Sequence, residues 1–227
     1  MKKTTIERFE TMDFMGYEAV NTICSNLLFA ERNVKKILVT SFGAAEGKSF
    51  ISRQILWNMA KRGRWTVLLD ADLRRSKLVD ILGFKTEEPI QGLSHYLAGY
   101  CNLDDILYET NVPEAVIAPI GRTVMNPVPL LGQPQFAEML DTLTESFDTI
   151  IIDAPPLGVV IDAAEIASHC DGALIVVEYD KTRRRDLAKV RNSIEQTGCP
   201  VLGCVINNVK LDTFGAKRYY NYSHYYE

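Results

Sequence analysis

The sequence lacks the features that mark secreted, membrane-spanning and nucleic-acid-binding proteins. Its five cysteines are odd in number and scattered, without metal-ligand or CxxC spacing, which favours reduced thiols in a reducing compartment. No run reaches the roughly 18 apolar residues that a membrane helix needs. Residues 1–10 are polar and no apolar signal-peptide core follows them. The net charge of −4 gives no strong attraction to nucleic acid or acidic lipid. We therefore expect a cytoplasmic protein without a nucleic-acid partner.

What the sequence does contain is the apolar patterning of an α/β domain. A chain of 227 residues, 47% hydrophobic and 24% charged, suffices for one compact core. Several apolar runs are nearly continuous, which indicates strands buried on both faces of a parallel sheet. These runs are residues 36–41, 66–70, 115–118, 149–153, 173–177 and 201–206. Helical periodicity lies between them, and a further helix is expected at residues 14–29. The alternation predicts a doubly wound, mostly parallel sheet with helices on both faces.

The end of the chain differs from the rest. The apolar periodicity stops after Leu211, and no strand or helix period fits the remaining residues. Five tyrosines stand among the last nine residues: Tyr219, Tyr220, Tyr222, Tyr225 and Tyr226. We predict one domain at residues 1–210 and a flexible, tyrosine-rich tail at residues 211–227.

The strongest local motif is Ser-Phe-Gly-Ala-Ala-Glu-Gly-Lys-Ser at residues 41–49, between a predicted strand and a predicted helix. This is the context of a P-loop, whose backbone N–H groups bind phosphate oxygens. Lys48 would add a point charge at the β and γ phosphates of ATP, and the Ser49 hydroxyl would bind Mg²⁺. The general pattern expects glycine where Phe42 stands. The predicted ATP-binding residues of this motif are Gly43, Ala44, Ala45, Glu46, Gly47, Lys48, Ser49 and Phe50.

Three aspartates end two of the predicted strands. Asp70 and Asp72 close the run at residues 66–70, and Asp153 closes the run at residues 149–153. In open parallel sheets, ligands bind beyond the carboxyl ends of the strands, so these acids should lie beside the phosphate loop. Each acid alone is also compatible with a helix cap. All three together with the loop favour a magnesium site.

The string Val-Leu-Leu-Asp-Ala-Asp-Leu-Arg-Arg at residues 67–75 is similar to the second aspartate motif (Walker A′) of the bacterial tyrosine kinases. These are the cytoplasmic kinases of capsule and exopolysaccharide assembly, and they too end in a tyrosine cluster. The resemblance runs from about Gly16 to the end of the chain. Further segments that agree with the family pattern are residues 92–99, 126–131, 147–156, 162–163 and 201–207.

The resemblance implies an ATP-dependent protein-tyrosine kinase that phosphorylates its own tail and regulates capsular and exopolysaccharide synthesis and export. Lys48, Asp70 and Asp72 would be the catalytic residues, and Asp70 would accept the proton of the attacking tyrosine or orient it. Ser49, Asp72 and Asp153 would hold Mg²⁺. Asn207 lies where the wider ATPase class contacts the nucleotide base. The phosphate acceptors would be Tyr219, Tyr220, Tyr222, Tyr225 and Tyr226.

The resemblance also implies partners. The family's activator is a transmembrane protein of the polysaccharide co-polymerase type, so we expect a separate activator that recruits the chain to the inner face of the plasma membrane. A tyrosine phosphatase is a further expected partner. The family assembles rings through a Glu-x-x-Arg-x-x-Arg motif, of which this chain keeps Glu18 and has Asn21 and Cys24 in place of both arginines. Self-association therefore stays open.

Two more departures from the family pattern lie near the predicted site. Ala44 and Ala45 stand where the family usually has Pro-Gly, which bears on the strength of ATP binding, and Ser76 stands where the family has proline after two arginines. Two alternative functions are left open. One is an ATPase of the positioning or partition type, although that class has an extra lysine where this chain has Gly43. The other is a degenerate scaffold that acts by interaction alone.

Overall fold

The computed structural model describes residues 1–30 and 34–209, so the predicted tail with its five tyrosines lies outside the described residues. The described residues form one large sheet and one small one. The strands are β1 Lys2–Lys3, β2 Thr5–Ile6, β3 Lys36–Ser41, β4 Thr66–Asp70, β5 Phe84–Lys85, β6 Tyr108–Glu109, β7 Ala115–Ala118, β8 Thr149–Asp153, β9 Gly172–Glu178 and β10 Val201–Asn207.

The large sheet has eight strands in the order β1-β6-β7-β4-β8-β3-β9-β10. Neighbouring strands are parallel except at the antiparallel pair β6–β7. The small sheet is the antiparallel pair β2–β5. Since consecutive parallel strands need a crossover, helices connect most of the long strands. The helices are α1 Phe14–Leu28, α2 Lys48–Lys61, α3 Leu78–Leu82, α4 Leu93–Leu97, α5 Val128–Leu131, α6 Pro134–Ser146, α7 Asp162–Ala167 and α8 Arg184–Glu195.

The central strands are buried on both faces, and each face has its own core. Along β3, Leu38 packs into one core while Ile37 and Val39 pack into the other. The helices α6, α7 and α8 cover the first face, and α1 and α2 cover the second. Successive side chains of a strand point to opposite faces, so a continuous apolar run serves two cores at once. The predicted doubly wound fold is confirmed.

The last predicted strand differs from the expectation. Residues 201–206 were expected to be buried on both faces, but most side chains of β10 are half-buried or exposed. Within the described part of the chain, β10 pairs only with β9 and forms an edge of the sheet. The prediction of burial is wrong here because an apolar run does not by itself distinguish a central strand from an edge strand.

The strand register brings the predicted site together. The ends of β4 and β8 are in register, with Asp70 opposite Asp153. On the other side of β8, Asp153 is opposite Val39 of β3, the strand that leads into the phosphate loop. The carboxyl ends of three adjacent strands therefore place the loop and the acids at one edge of the sheet.

The start of β3 is fixed by a carboxylate at the start of β9. The Oδ2 atom of Asp171 accepts the backbone N–H groups of Lys35 at 2.9 Å and Lys36 at 2.7 Å. Hydrogen bonds to a charged acceptor contribute more than neutral ones, so Asp171→Ala should lower the free energy of unfolding by about 2 kcal/mol. The measurement is urea unfolding. Asp171→Asn keeps an oxygen acceptor and should lose clearly less; equal losses in both variants would contradict this account.

Candidate active site

The phosphate loop joins β3 to α2 and is held together by a buried glutamate. Glu46 is only 3% exposed. Its carboxylate accepts the Gly43 N–H at 2.9 Å and the hydroxyl of Thr182, which lies between β9 and α8. The loop also requires two residues with positive φ, 61° at Ala45 and 94° at Gly47. These contacts give the loop a defined shape before any ligand binds.

The first turn of α2 offers backbone donors to an anion. Gly47 is the N-cap residue, and no side chain of the described residues caps the helix. The first N–H with a partner inside the helix is that of Ile51, which donates to the Gly47 carbonyl at 2.9 Å. The N–H groups of residues 48–50 precede that bond and belong to the turn whose donors have no partner within a helix. Such a helix start, with its positive end of the dipole, fits a phosphate group.

Two glycines allow side chains to pack closely against the loop. A Cβ on Gly47 would lie 2.0 Å from the Nδ2 atom of Asn207, whose amide donates to the Glu46 carbonyl at 3.1 Å. A Cβ on Gly158 would lie 2.5 Å from the Phe42 ring. Asn207 thus lies next to the loop. Phe42, at the position where the general pattern has glycine, packs against the segment that follows β8.

Lys48 lies between two carboxylates. Its Nζ atom is 3.1 Å from Oδ2 of Asp72 and 3.6 Å from Oδ1 of Asp153. The side chains of these three residues are 11%, 12% and 5% exposed. Burial by itself would lower the pKa of Lys48, but the charges of Asp153 and Asp72 outweigh burial and raise it. Lys48 is therefore a cation held at the centre of the site.

Asp70 is buried beside Asp72 and Asp153, and both of its oxygens accept hydrogen bonds. Oδ1 accepts the backbone N–H of Asp72 at 3.3 Å, and Oδ2 accepts the hydroxyl of Ser76. Burial, followed by the charge of Asp153, raises the pKa of Asp70 to about 8, against the opposing effects of Ser76 and Lys48. Asp70 therefore titrates near neutral pH, which suits a group that exchanges a proton.

The predicted metal ligands lie close to one another around the Lys48 side chain. Nζ of Lys48 is 3.3 Å from Oγ of Ser49 and also contacts both acids, so Ser49, Asp72 and Asp153 surround the same ammonium group. The Ser52 hydroxyl donates to the Lys48 carbonyl at 2.9 Å and lies 3.4 Å from Oδ1 of Asp153. Within the described ranges, no group of three His, Cys, Asp or Glu side chains could hold a metal ion. A hydroxyl and one or two carboxylates fit Mg²⁺, which keeps waters and takes the remaining ligands from phosphates.

Arg74 connects three segments that resemble the family. Its Nε and Nη2 atoms donate to Asp162 at 2.6 and 3.0 Å, and Nη1 donates to the Met125 carbonyl at 2.7 Å. Asp162 is 1% exposed, so this bidentate pair replaces its lost hydration. The segments that follow β4, β7 and β8 are thereby fixed relative to one another.

The described residues thus bring together Lys48, Ser49, Asp70, Asp72, Asp153 and Asn207, whereas the tyrosine cluster lies outside them. Sequence reasoning missed Thr182 and Ser52. Thr182 contacts the loop across 136 positions of sequence, and no motif marks it. The short spacing between Lys48 and Ser52 on α2 was available as a signal, since residues four apart share a helix face.

A phosphate loop between a strand and a helix, with acids at the carboxyl ends of neighbouring parallel strands, defines a P-loop nucleotide-binding protein. No family model matches the chain. The chain is 38% identical over 205 residues to the tyrosine-protein kinase CpsD of Streptococcus agalactiae, covering 90% of this chain and 89% of that protein. It is 30% identical over 205 residues to the putative tyrosine-protein kinase CapB of Staphylococcus aureus, covering 89% of each. The chain therefore belongs to the bacterial tyrosine-protein kinases.

Solved structures agree with this assignment. The kinase domain of the Escherichia coli tyrosine kinase ETK superposes with a TM-score of 0.78 and 25% identity, covering 90% of this chain and 84% of that one. The septum site-determining protein MinD of Pyrococcus horikoshii, solved with Mg-ADP, has the same fold, with a TM-score of 0.63 and 22% identity over 76% of this chain and 69% of its own. Among the helices at residues 1–30 and 34–209, none has the length and apolar character to cross a membrane.

The positive φ of Ala45 makes a prediction about loop strain. An L-residue in this region is strained by about 1 kcal/mol, which glycine avoids. Ala45→Gly should raise the free energy of unfolding by up to about 1 kcal/mol, as measured by urea denaturation. Ala44 is the matched control, since it is also exposed but does not have a positive φ. Ala44→Gly should destabilise by about 0.5 kcal/mol; stabilisation by both changes would contradict the account.

The pKa of Asp70 predicts how stability depends on pH. The folded protein keeps this carboxyl protonated up to about pH 8, whereas the unfolded chain ionises it near pH 4. Between these values the folded state binds more protons, so Asp70 makes the free energy of unfolding fall as pH rises. Asp70→Asn removes this contribution. In magnesium-free urea titrations, the stability of the variant relative to the wild type should increase from about pH 5 to pH 8. A constant difference would refute the raised pKa.

Proposed function

We propose that this kinase transfers the γ-phosphoryl group of ATP to tyrosine hydroxyls, with its own C-terminal cluster as the acceptor, and that it regulates capsular and exopolysaccharide synthesis and export. The observation that carries the proposal is the position of Lys48. Its ammonium group lies at the start of α2, beside the donors of the phosphate loop, and two strand-end carboxylates hold it there. Family membership supplies the type of reaction.

The loop residues and Lys48 have separate tasks in ATP binding. The N–H groups of residues 48–50 would donate to the phosphates, and Lys48 would neutralise charge on the β and γ phosphates. Asn207, which lies next to Gly47, would contact the nucleotide base, as the resemblance to the wider ATPase class implies. Bound Mg²⁺ would supply charge neutralisation between the β and γ phosphates. Ser49, Asp72 and Asp153 are the residues that would hold it.

Asp70 acts as the base or orienter for the acceptor tyrosine. The phenol oxygen forms a bond to the γ phosphorus while the bond from that phosphorus to the β–γ bridging oxygen breaks, and ADP leaves. The phenol proton has a pKa of about 10 and needs an acceptor as the new bond forms. Burial and the charge of Asp153 raise the pKa of Asp70, so its ionised form is a stronger base than an ordinary aspartate.

The geometry favours this function over the degenerate scaffold, and the tyrosine cluster favours it over the positioning ATPase. A degenerate scaffold would have no reason to keep a buried lysine between two buried acids, because an incompletely paired buried charge is destabilising. A positioning or partition ATPase would share the fold and the loop. The tyrosine cluster favours the kinase, and only measurement of phosphate on those tyrosines distinguishes the two.

The proposed partners are a transmembrane activator of the polysaccharide co-polymerase type and a tyrosine phosphatase. The activator would recruit the cytoplasmic kinase to the inner face of the plasma membrane. We propose that this chain self-associates through α1 more weakly than the family does. Cys24 is fully buried, and the Asn21 side chain accepts a hydrogen bond from Asn58 of the same chain at 2.6 Å. Neither position offers the cation that the family motif presents.

The test is mass spectrometry of the tail after incubation of the purified protein with Mg-ATP, and of the tail isolated from native cells, where any activator is present. Lys48→Met should lower phosphorylation at Tyr219–Tyr226 at least about a hundredfold, because it removes the main cation at the transferred phosphate. Lys61→Met, at the far end of the same helix and exposed, is the matched control and should leave phosphorylation unchanged.

The outcomes separate the candidate functions. An unmodified tail in the wild type, with steady ATP hydrolysis that Lys48→Met abolishes, would replace the kinase by the positioning ATPase. No modification and no nucleotide binding would leave the scaffold. Modification that persists in Lys48→Met would refute the assigned role of Lys48.

A further inference from the structure

The turn that follows β4 places Ser76 beside Asp70, the last residue of that strand. Asp72 accepts the backbone N–H groups of Arg75 and Ser76 through its carbonyl, at 3.2 and 3.1 Å. This turn brings the Ser76 side chain next to the residue at the end of β4, and the Ser76 hydroxyl donates to Oδ2 of Asp70. The other oxygen of Asp70 accepts the N–H of Asp72 at 3.3 Å. Both oxygens of one carboxylate are therefore held by the segment that immediately follows it.

A second contact fixes the Ser76 hydroxyl in place. The backbone N–H of Leu78 donates to the Ser76 oxygen at 3.0 Å. An ionised carboxylate can only accept, so toward the ionised form of Asp70 the hydroxyl gives its own proton while it accepts from Leu78 at the start of α3. The start of α3 and the end of β4 fix the hydroxyl from two sides.

We propose that Ser76 is a positioning residue for phosphoryl transfer, whose hydroxyl holds the carboxylate of Asp70 in one orientation toward the acceptor tyrosine. The inference rests on the proposed role of Asp70 as base or orienter. The kinases that this chain resembles have proline at this position, and proline has no hydroxyl.

The surroundings of Asp70 explain why a positioning contact matters. Asp153 lies directly opposite in the strand register, and Asp72 lies two positions further on. Lys48 is 3.1 Å from Asp72 and 3.6 Å from Asp153, so its ammonium group is ion-paired with those two acids. The side-chain hydrogen bond to Asp70 comes from Ser76 alone among the bonds of the described residues. Without it, one oxygen of Asp70 loses its partner, and only the 3.3 Å bond from the Asp72 N–H still orients the carboxylate.

Ser76 could instead serve only to start α3, since its oxygen accepts the Leu78 N–H. The two roles predict different results. If Ser76 only starts α3, its substitution acts through stability alone. Another substitution that destabilises α3 by the same amount should then lower activity equally. A positioning role acts on the transfer step while ATP binding is unaffected, because the phosphate loop and Lys48 do not contact Ser76.

The experiment uses full-length Ser76→Ala, Ser76→Thr, Asp70→Asn and Val79→Ala. Val79 is a half-buried α3 side chain that packs against the second core, and its truncation loosens α3 without changing the hydroxyl. Each variant is measured for the single-turnover rate of tail phosphorylation at saturating Mg-ATP, for ATP affinity and for the urea midpoint. The rate is also read as tail phosphotyrosine in native cells.

We expect Ser76→Ala to lower the transfer rate about tenfold to a hundredfold, as expected for a misplaced catalytic group, with ATP affinity within about twofold of the wild type. Ser76→Thr keeps the hydroxyl and should restore most of the rate. Val79→Ala should keep the rate despite its lower urea midpoint. Asp70→Asn should lose the rate at least as severely as Ser76→Ala.

Distinct outcomes overturn distinct claims. A full rate in Ser76→Ala together with an inactive Asp70→Asn refutes the role of Ser76 and leaves Asp70 in place. A full rate in Asp70→Asn refutes the proposed base and the positioning role with it. Equal rate losses in Val79→Ala and Ser76→Ala at equal stability, or failure of Ser76→Thr to restore the rate, reduce Ser76 to a structural residue.

Discussion

The buried ammonium group of Lys48, between Asp72 and Asp153, is the interaction on which the site depends. Removing a charge from water is costly unless a partner of opposite charge lies within hydrogen-bonding distance. Here the partners come from separate elements, because Lys48 begins α2, Asp72 follows β4 and Asp153 ends β8. A shift of one strand against its neighbour would leave a charge unpaired in the interior. The register of the sheet and the geometry of the site therefore stabilise each other.

Much of this arrangement could be predicted from the sequence. The strands of the sheet centre appear as continuous apolar runs, and four of them, at residues 36–41, 66–70, 115–118 and 149–153, have the predicted bounds. Because the acids directly follow two of these runs and the phosphate loop follows a third, the rule for parallel sheets places them at one edge. Local patterns thus determine which predicted residues meet.

The contacts that the sequence did not predict are those in which one partner has no motif. Thr182 bonds to Glu46, and Asn207 packs against Gly47, across long separations in the chain. The exposure of β10 also escaped prediction, because position within a sheet depends on how many strands lie beyond it. The short strands β1, β2, β5 and β6 have only two residues each. Their pairing arises from tertiary contacts rather than from their own propensity.

The departures from the family pattern are best understood from their local contacts. Ala45 has φ of 61° although it carries a Cβ, so the closed shape of the loop determines its backbone more strongly than its own preference does. Cys24, at the position of a family arginine, is buried in the core under α1. Ser76 supplies a hydrogen bond to Asp70 that proline could not make. Lys48, Ser49, Asp70, Asp72 and Asp153 agree with the family pattern, whereas the departures fall beside them, in the loop backbone, on α1 and in the turn after β4. We therefore expect this chain to differ from its relatives in assembly and in the positioning of Asp70 rather than in the reacting groups themselves.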